Sequence, residues 1–335
     1  MKLTALKKPK KSTQQKIKIV SLLLLIFIIC LIILVSAPKA VNLTESKLSD
    51  SVNQQTSKPL YLISEVAGVE KVTTPTVNDI KIPPPEFSAE AVLAMDVETG
   101  EILYSKNIDK RLSPASITKI MTAVIAQEKF GPGEILTVPP QALVGGSSMG
   151  LTSGERLTFR SLLYGMLLNS GNDAAYTIAL NYPAGGMDGF LEAMNQRVLE
   201  LGLKDTHFSN PAGFDSPNHY SSAYDLAQIA KQIIVNQQLS KVVDTQETQI
   251  ISLDKTKEHN LKNLNKLLSE EGVIGIKTGY TEFSGENLVT LVERESKNST
   301  DSQKHKVLTV VLKSSDRFGE SRTLINWIFD NFTWR

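Results

Sequence analysis

The run at residues 19–37, IVSLLLLIFIICLIILVSA, constrains this chain more than any other feature, because it holds nineteen residues without one charge. About 20 apolar residues span a bilayer core as a helix, whereas the apolar stretch of a signal peptide is nearer 7–15. Seven lysines and no acidic residue lie in residues 1–18, which the positive-inside tendency keeps in the cytoplasm. Everything after the run is then exported. The alternative is a cleaved signal peptide and a secreted product, with Val35-Ser36-Ala37 as a small-residue cleavage site. Pro38 and the length of the run favour a retained single-pass anchor over 19–37 in a bacterial cell membrane. Cys30, with Ile28 and Ile29 before it, does not suit lipoprotein processing and reads as a buried apolar side chain. As the one cysteine, it permits no internal disulfide and no Cys/His metal cluster.

Residues 38–85 read as a flexible linker, rich in Ser, Thr, Asn and Gln and closing on Ile82-Pro83-Pro84-Pro85. A coil of this length spans roughly 35–40 Å, a leash from the lipid surface. Tyr61-Leu62-Ile63 offers a short strand within it. The body, 86–335, begins with a predicted hairpin, 89–97 and 102–105, around a Gly-containing turn. A helix is predicted from Ser113-Pro114 through Ile117, Ile120, Met121, Val124 and Ile125, which recur at helical spacing. A second starts near Thr158, breaks at Asn169-Ser170-Gly171 and gives way to a third at Asn172. Helices are also predicted over 187–202, 222–237 and 320–332, and strands over 273–278, 287–293 and 306–313. Strands at both ends around a helical middle imply an α+β fold, one antiparallel sheet flanked by a helical cluster. Without the amino-terminal lysines the chain has 29 basic against 35 acidic residues. Such a body has no footprint for nucleic acid.

Nucleophilic catalysis needs a hydroxyl or thiol, a base within reach and donors for the oxyanion. The thiol sits in the apolar run, leaving Ser or Thr. His207, His219, His259 and His305 are candidate bases, yet there is no Gly-x-Ser-x-Gly elbow, and His219 lies in a loop dense with turn formers. No His-Glu-x-x-His occurs either, so neither a metal nor a cofactor is expected. A lysine base is the alternative. Ser116-Ile117-Thr118-Lys119 places Ser and Lys three apart at the start of an apolar-periodic helix; the same spacing at Ser36 and Ser252 lacks that setting. Ser170-Gly171-Asn172 is lodged between two predicted helices. Lys277-Thr278-Gly279 ends an apolar strand, where Gly279 would let a ligand approach closely.

Taken together, these three motifs match the Ser-x-x-Lys, Ser-x-Asn and Lys-Thr-Gly set of penicillin-binding proteins and class A β-lactamases. Further stretches sharpen the likeness: Gly146-Ser147-Ser148-Met149-Gly150, Asn169-Ser170-Gly171-Asn172-Asp173, Asn210-Pro211-Ala212-Gly213, Tyr224-Asp225-Leu226-Ala227 and Gly275-Ile276-Lys277-Thr278-Gly279-Tyr280. Over about residues 86–333 the chain resembles the serine-type D-Ala-D-Ala carboxypeptidases, the DacA-like low-molecular-mass penicillin-binding proteins of peptidase family S11. Two departures stand out. Ala212 replaces a His common in relatives and is given no role. The small β-domain and terminal amphipathic anchor of many relatives have no counterpart after the body, and the amino-terminal run is expected to replace them. A class A β-lactamase would need a Glu-x-x-Leu-Asn loop, and Glu258-His259-Asn260-Leu261-Lys262 is its nearest, poor approach.

The resemblance implies a peptidase acting on peptidoglycan stem peptides, acylated by β-lactams, with its catalytic domain outside the cytoplasm. Ser116 is the expected nucleophile. Lys119 is the expected base, held neutral by burial and by a second ammonium at Lys277. Ser170 is expected to relay a proton to the leaving D-alanine, and Asn172 to hold the substrate amide. The resemblance also implies an oxyanion hole from the N–H groups of Ser116 and Tyr280. It assigns the substrate carboxylate to Lys277, Thr278 and Arg317, beside Gly279 and Tyr280. An endopeptidase cutting cross-links, and a non-catalytic muropeptide-binding module, are the other readings of the same residues.

Overall fold

The computed structural model describes residues 73–77, 82–296 and 303–335. The basic segment 1–18, the apolar run 19–37 with Cys30, Tyr61-Leu62-Ile63 and most of the linker lie outside the described residues. Among the described residues no helix is long and apolar enough to cross a membrane.

The centre of the fold is a five-stranded antiparallel sheet in the order β3-β2-β10-β9-β8. β2 (Ala91–Asp96) and β3 (Ile102–Lys106) form the expected hairpin; β8 (Val273–Thr281), β9 (Gly285–Glu295) and β10 (Lys304–Ser314) come from the other end of the chain. β2 is apolar along nearly its whole length because the sheet is covered on both faces. Ala91, Leu93 and Met95 point into the helical cluster, while Val92 and Ala94 point into a second core under α7 (Arg317–Asn331) with Leu324, Ile325 and Ile328. Alternate residues of one strand therefore anchor two separate layers.

The cluster contains α1 (Lys119–Gln127), α2 (Phe159–Leu167), α3 (Asn172–Leu180), α4 (Gly186–Glu200), α5 (Ala223–Val235) and α6 (Gln237–Val243). Local chemistry sets several of their starts. Thr158 Oγ1 accepts from the Ser161 N–H at the head of α2, Ser222 Oγ from the Asp225 N–H at α5, and Asn236 Oδ1 from two N–H groups at α6. Short hairpins flank the cluster: β4 (Ile135–Thr137) with β5 (Arg156–Thr158), and β6 (Glu247–Ile251) with β7 (Glu258–Lys262).

Two expectations need correction. The helix predicted from Ser113-Pro114 does not start there: Ala115–Thr118 is a 3-10 turn, and α-helix begins only at Lys119. Ala115 has φ of 48°, which the right-handed α-helix does not accommodate. The linker expected to run to residue 85 is also shorter. β1 (Pro75–Val77) pairs antiparallel with β11 (Phe332–Trp334), whose first residue was predicted as the end of the last helix. Trp334 Nε1 donates to Asp96 Oδ2 at 2.8 Å and the indole stacks on His305 at 4.7 Å. Ile82 follows α7 outside the sheet, its N–H donating to Asn331 and its carbonyl accepting from Trp327 Nε1.

Candidate active site

Ser116 sits in the 3-10 turn, where residues i and i+3 eclipse one another. Its spacing to Lys119 thus brings the two side chains together more directly than an α-helix would. Neighbouring elements, rather than a helix cap, hold the turn. Asn287 Nδ2, from β9, donates to the Ser113 carbonyl at 3.0 Å, and Ser113 Oγ donates to Asp215 at 2.6 Å. Two glycines let other backbone press against it. A Cβ on Gly213 (φ 93°) would lie 1.8 Å from the Ala115 carbonyl oxygen, and one on Gly279 would lie 2.9 Å from the Pro114 oxygen. Gly279 was expected to admit a ligand; the close approach it permits is to the turn of the nucleophile itself.

Lys119 is fully buried at 0% exposure. Its Nζ lies 2.8 Å from Ser116 Oγ, 2.8 Å from Asn172 Oδ1 and 2.7 Å from the Ala212 carbonyl oxygen. The orientation of the Asn172 amide is set by Nδ2 donating to the Gly145 carbonyl at 2.8 Å. Asn172 Oδ1 and Ala212 O can only accept, so each takes an N–H of the lysine. Once the amine is neutral, its lone pair is the direction left for the Ser116 hydroxyl. Burial, and after it the charge of Lys277, hold the Lys119 amine well below the ordinary lysine range, with Asp173 opposing. Lys277 is itself brought down to about 7 by burial and then by Arg317. The second ammonium is therefore a subordinate cause, and it fades as pH passes 7.

The second wall is the break between α2 and α3. Ser170 adopts φ of 58°, and its buried Oγ has no hydrogen-bond partner among the described residues. Asn172 opens α3. Asp173 behind it accepts from the N–H groups of Met149, Gly150 and Leu151 and from Ser148 Oγ at 2.5–3.1 Å. Its carboxylate thereby fastens residues 148–151 of the loop whose Gly145 carbonyl orients Asn172.

The third wall is β8. Lys277 and Thr278 are buried there, whereas the Tyr280 ring is 59% exposed. Arg317, the first residue of α7, reaches under the strand: one terminal nitrogen donates to the Gly279 carbonyl at 2.8 Å, and its buried Nε has no partner among the described residues. Its backbone N–H donates to Glu286. This is no solvated surface arginine.

Among the described residues Ser116 Oγ is met by Lys119 and the histidines bond other groups. His259 Nε2 pairs with Glu155 Oε1 at 2.6 Å and its Nδ1 bonds the Met149 carbonyl. His207 bonds the Asn218 carbonyl and His305 stacks on Trp334. Sequence reasoning missed Ala212, whose contribution is a carbonyl and carries no side-chain signal. Its motif was the available clue, since Asn210 Oδ1 accepts from the N–H groups of Ala212, Gly213 and Phe214 and curls the loop toward Lys119.

Residues 78–315 match the peptidase S11 family, described as D-alanyl-D-alanine carboxypeptidase. The chain is 38% identical over 200 residues to D-alanyl-D-alanine carboxypeptidase DacF of Bacillus subtilis, covering 58% of this chain and 51% of the relative. It is 35% identical over 270 residues to DacD of Escherichia coli, covering 75% and 65% respectively. The chain thus spans between half and two thirds of the length of these curated relatives. The crystal structure of the Streptomyces K15 DD-transpeptidase superposes with a TM-score of 0.68 at 32% identity, over 74% of this chain and 99% of that one. With Ser116 beside the buried Lys119, the other two motifs following in order along the chain and the family match running over residues 78–315, the chain belongs to the peptidase S11 family of D-alanyl-D-alanine carboxypeptidases.

Proposed function

We propose that this chain is a serine D,D-carboxypeptidase, tethered to the bacterial membrane by residues 19–37, that removes the terminal D-alanine from peptidoglycan stem peptides. The observation that carries the reading is the amine of Lys119, its two N–H groups taken by Asn172 and Ala212 and its third direction aimed at Ser116 Oγ. Lys119 accepts the Ser116 proton as Oγ attacks the carbonyl between the last two D-alanines, with the N–H groups of Ser116 and Tyr280 stabilising the oxyanion. Collapse of the tetrahedral adduct breaks the C–N bond and needs a proton on the leaving amine; the partnerless Ser170 hydroxyl suits that transfer. Water then hydrolyses the Ser116 ester. Lys277, Thr278 and Arg317 receive the free carboxylate that distinguishes a chain end, and Asn172 holds the substrate amide once it turns from Lys119. A β-lactam ring, carrying a similar carboxylate, acylates the same oxygen.

Digestion of purified sacculi tests the reading. Pentapeptide chains should lose one D-alanine, appearing as free D-alanine and tetrapeptides, with cross-linked dimers intact. Conversion of dimers to monomers would instead make the chain an endopeptidase, and binding of muropeptides without turnover would make it a non-catalytic module.

A further inference from the structure

His219 is 2% exposed and belongs to none of the steps above. Its ring sits between the Ser116 turn and the loop that carries Ala212. Nε2 lies 2.7 Å from Thr118 Oγ1, while Nδ1 accepts from the Ser209 N–H at 3.0 Å and from Asn210 Nδ2 at 3.3 Å. Both partners at Nδ1 are donors, so the proton resides on Nε2 and is donated to Thr118. Thr118 immediately precedes Lys119. One turn further, Thr122 Oγ1 donates to the Pro211 carbonyl at 2.7 Å, and Lys119 itself donates to Ala212. Four consecutive residues of the loop, 209–212, are thus fastened to the start of α1 or to His219, and the imidazole bonds both sides.

We infer that His219 is a positioning residue for acylation: as a neutral imidazole it locks Thr118 to the 209–214 loop, so that the Ala212 carbonyl and Ser116 Oγ meet the Lys119 amine together. The inference rests on the roles given to Ser116 and Lys119. Without this ring the Ala212 carbonyl drifts from Nζ, an N–H of the amine loses its acceptor, and the lone pair is no longer fixed on Ser116. A protonated ring has the same effect, because Nδ1–H then faces two donors. Burial is the leading reason that this protonation waits until about pH 4, followed by the charge of His207, with Asp215 opposing and Lys119 assisting.

The test compares His219→Phe, His219→Gln and the parent chain, using acylation by a fluorescent penicillin and turnover of a D-Ala-D-Ala peptide. Parent acylation checks the Ser116 reading by itself. Counted per acylatable site, His219→Phe should acylate roughly 10- to 100-fold more slowly, the usual cost of a displaced catalytic group. Its KM for the peptide should stay within about twofold of the parent, and His219→Gln should recover most of the rate through its donor to Thr118. An unchanged rate per site in His219→Phe, whatever its thermal midpoint, overturns the inference. Where His219→Phe does not fold, the pH profile decides: the parent should lose acylation through a protonation near pH 4 that is missing from His219→Gln. Identical acid limbs overturn it.

Discussion

Ser116→Ala should abolish both release of D-alanine and covalent labelling by a fluorescent penicillin, by at least about 10⁵-fold, the scale on which removing a nucleophile acts in hydrolases of this kind. The substitution deletes one oxygen from a turn whose shape does not depend on it. The Ala115–Thr118 turn is held by Asn287, by Ser113 with Asp215, and by the backbone of Gly213 and Gly279. The variant should therefore fold as the parent does and still bind substrate reversibly. Retained circular dichroism and thermal midpoint, alongside absent labelling, would separate lost chemistry from lost structure. Labelling that persists at the parent rate would remove Ser116 from the mechanism.

Lys119→Met should slow acylation by about 10³- to 10⁴-fold, the contribution of a positioned general base. Lys119→Arg discriminates between two jobs for the lysine. A guanidinium stays protonated at any accessible pH and cannot take the Ser116 proton. If Lys119 acted merely as a cation, arginine would restore activity; as a base, it must not. The pH profile adds a second constraint. Lys277, at about 7, should set a basic limb of kcat/KM near neutrality for peptides bearing a free carboxylate, because its proton attracts that carboxylate in the free enzyme. Bound carboxylate favours the charged form, so the limb should move to higher pH in kcat. The same depression costs stability: the unfolded chain holds this proton up to about pH 10.4, and the folded one releases it near 7. Stability from Lys277 therefore rises with pH across that window and is least below it.

Much of the fold was legible because strong patterns coincide with strong physics. β2 is apolar up to its last residue and lies between two strands inside the sheet; Leu162, Leu163, Met166 and Leu167 recur at helical spacing and line the inside of α2. β1, β11 and the β6–β7 hairpin were not legible, since their strands are short or mostly polar, and long-range pairing rather than local preference creates them. The turn at Ala115 illustrates a different failure. A proline followed by helix formers reads as a helix start, and the positive φ is imposed by Gly213 and Gly279 packing from two sides. Strain of this kind gathers at functional sites, where local rules are overruled.

At the candidate site, side chains with a chemical signature were legible, whereas the backbone carbonyl that meets Lys119 was not. Ser116, Lys119, Ser170, Asn172 and Lys277 announce themselves by type and spacing, and Arg317 only through the family resemblance. The Ala212 carbonyl does not, although it is one of two acceptors that leave Lys119 with a lone pair for Ser116. Asp173 escaped notice as a support, and His219 was read as structural from its turn-rich loop without its partners, because each acts by orienting other groups across more than twenty residues or a hundred.

Mass spectrometry of the penicillin-treated chain most directly tests whether a neutral Lys119 activates one hydroxyl. Cleavage after Arg111 and Lys119 releases an eight-residue peptide, 112–119, holding Ser113 and Ser116, and fragmentation separates the two. The account requires the penicilloyl mass on Ser116, at one adduct per chain. An adduct on Ser113, Ser170 or any other residue, with Ser116 unmodified, would contradict it.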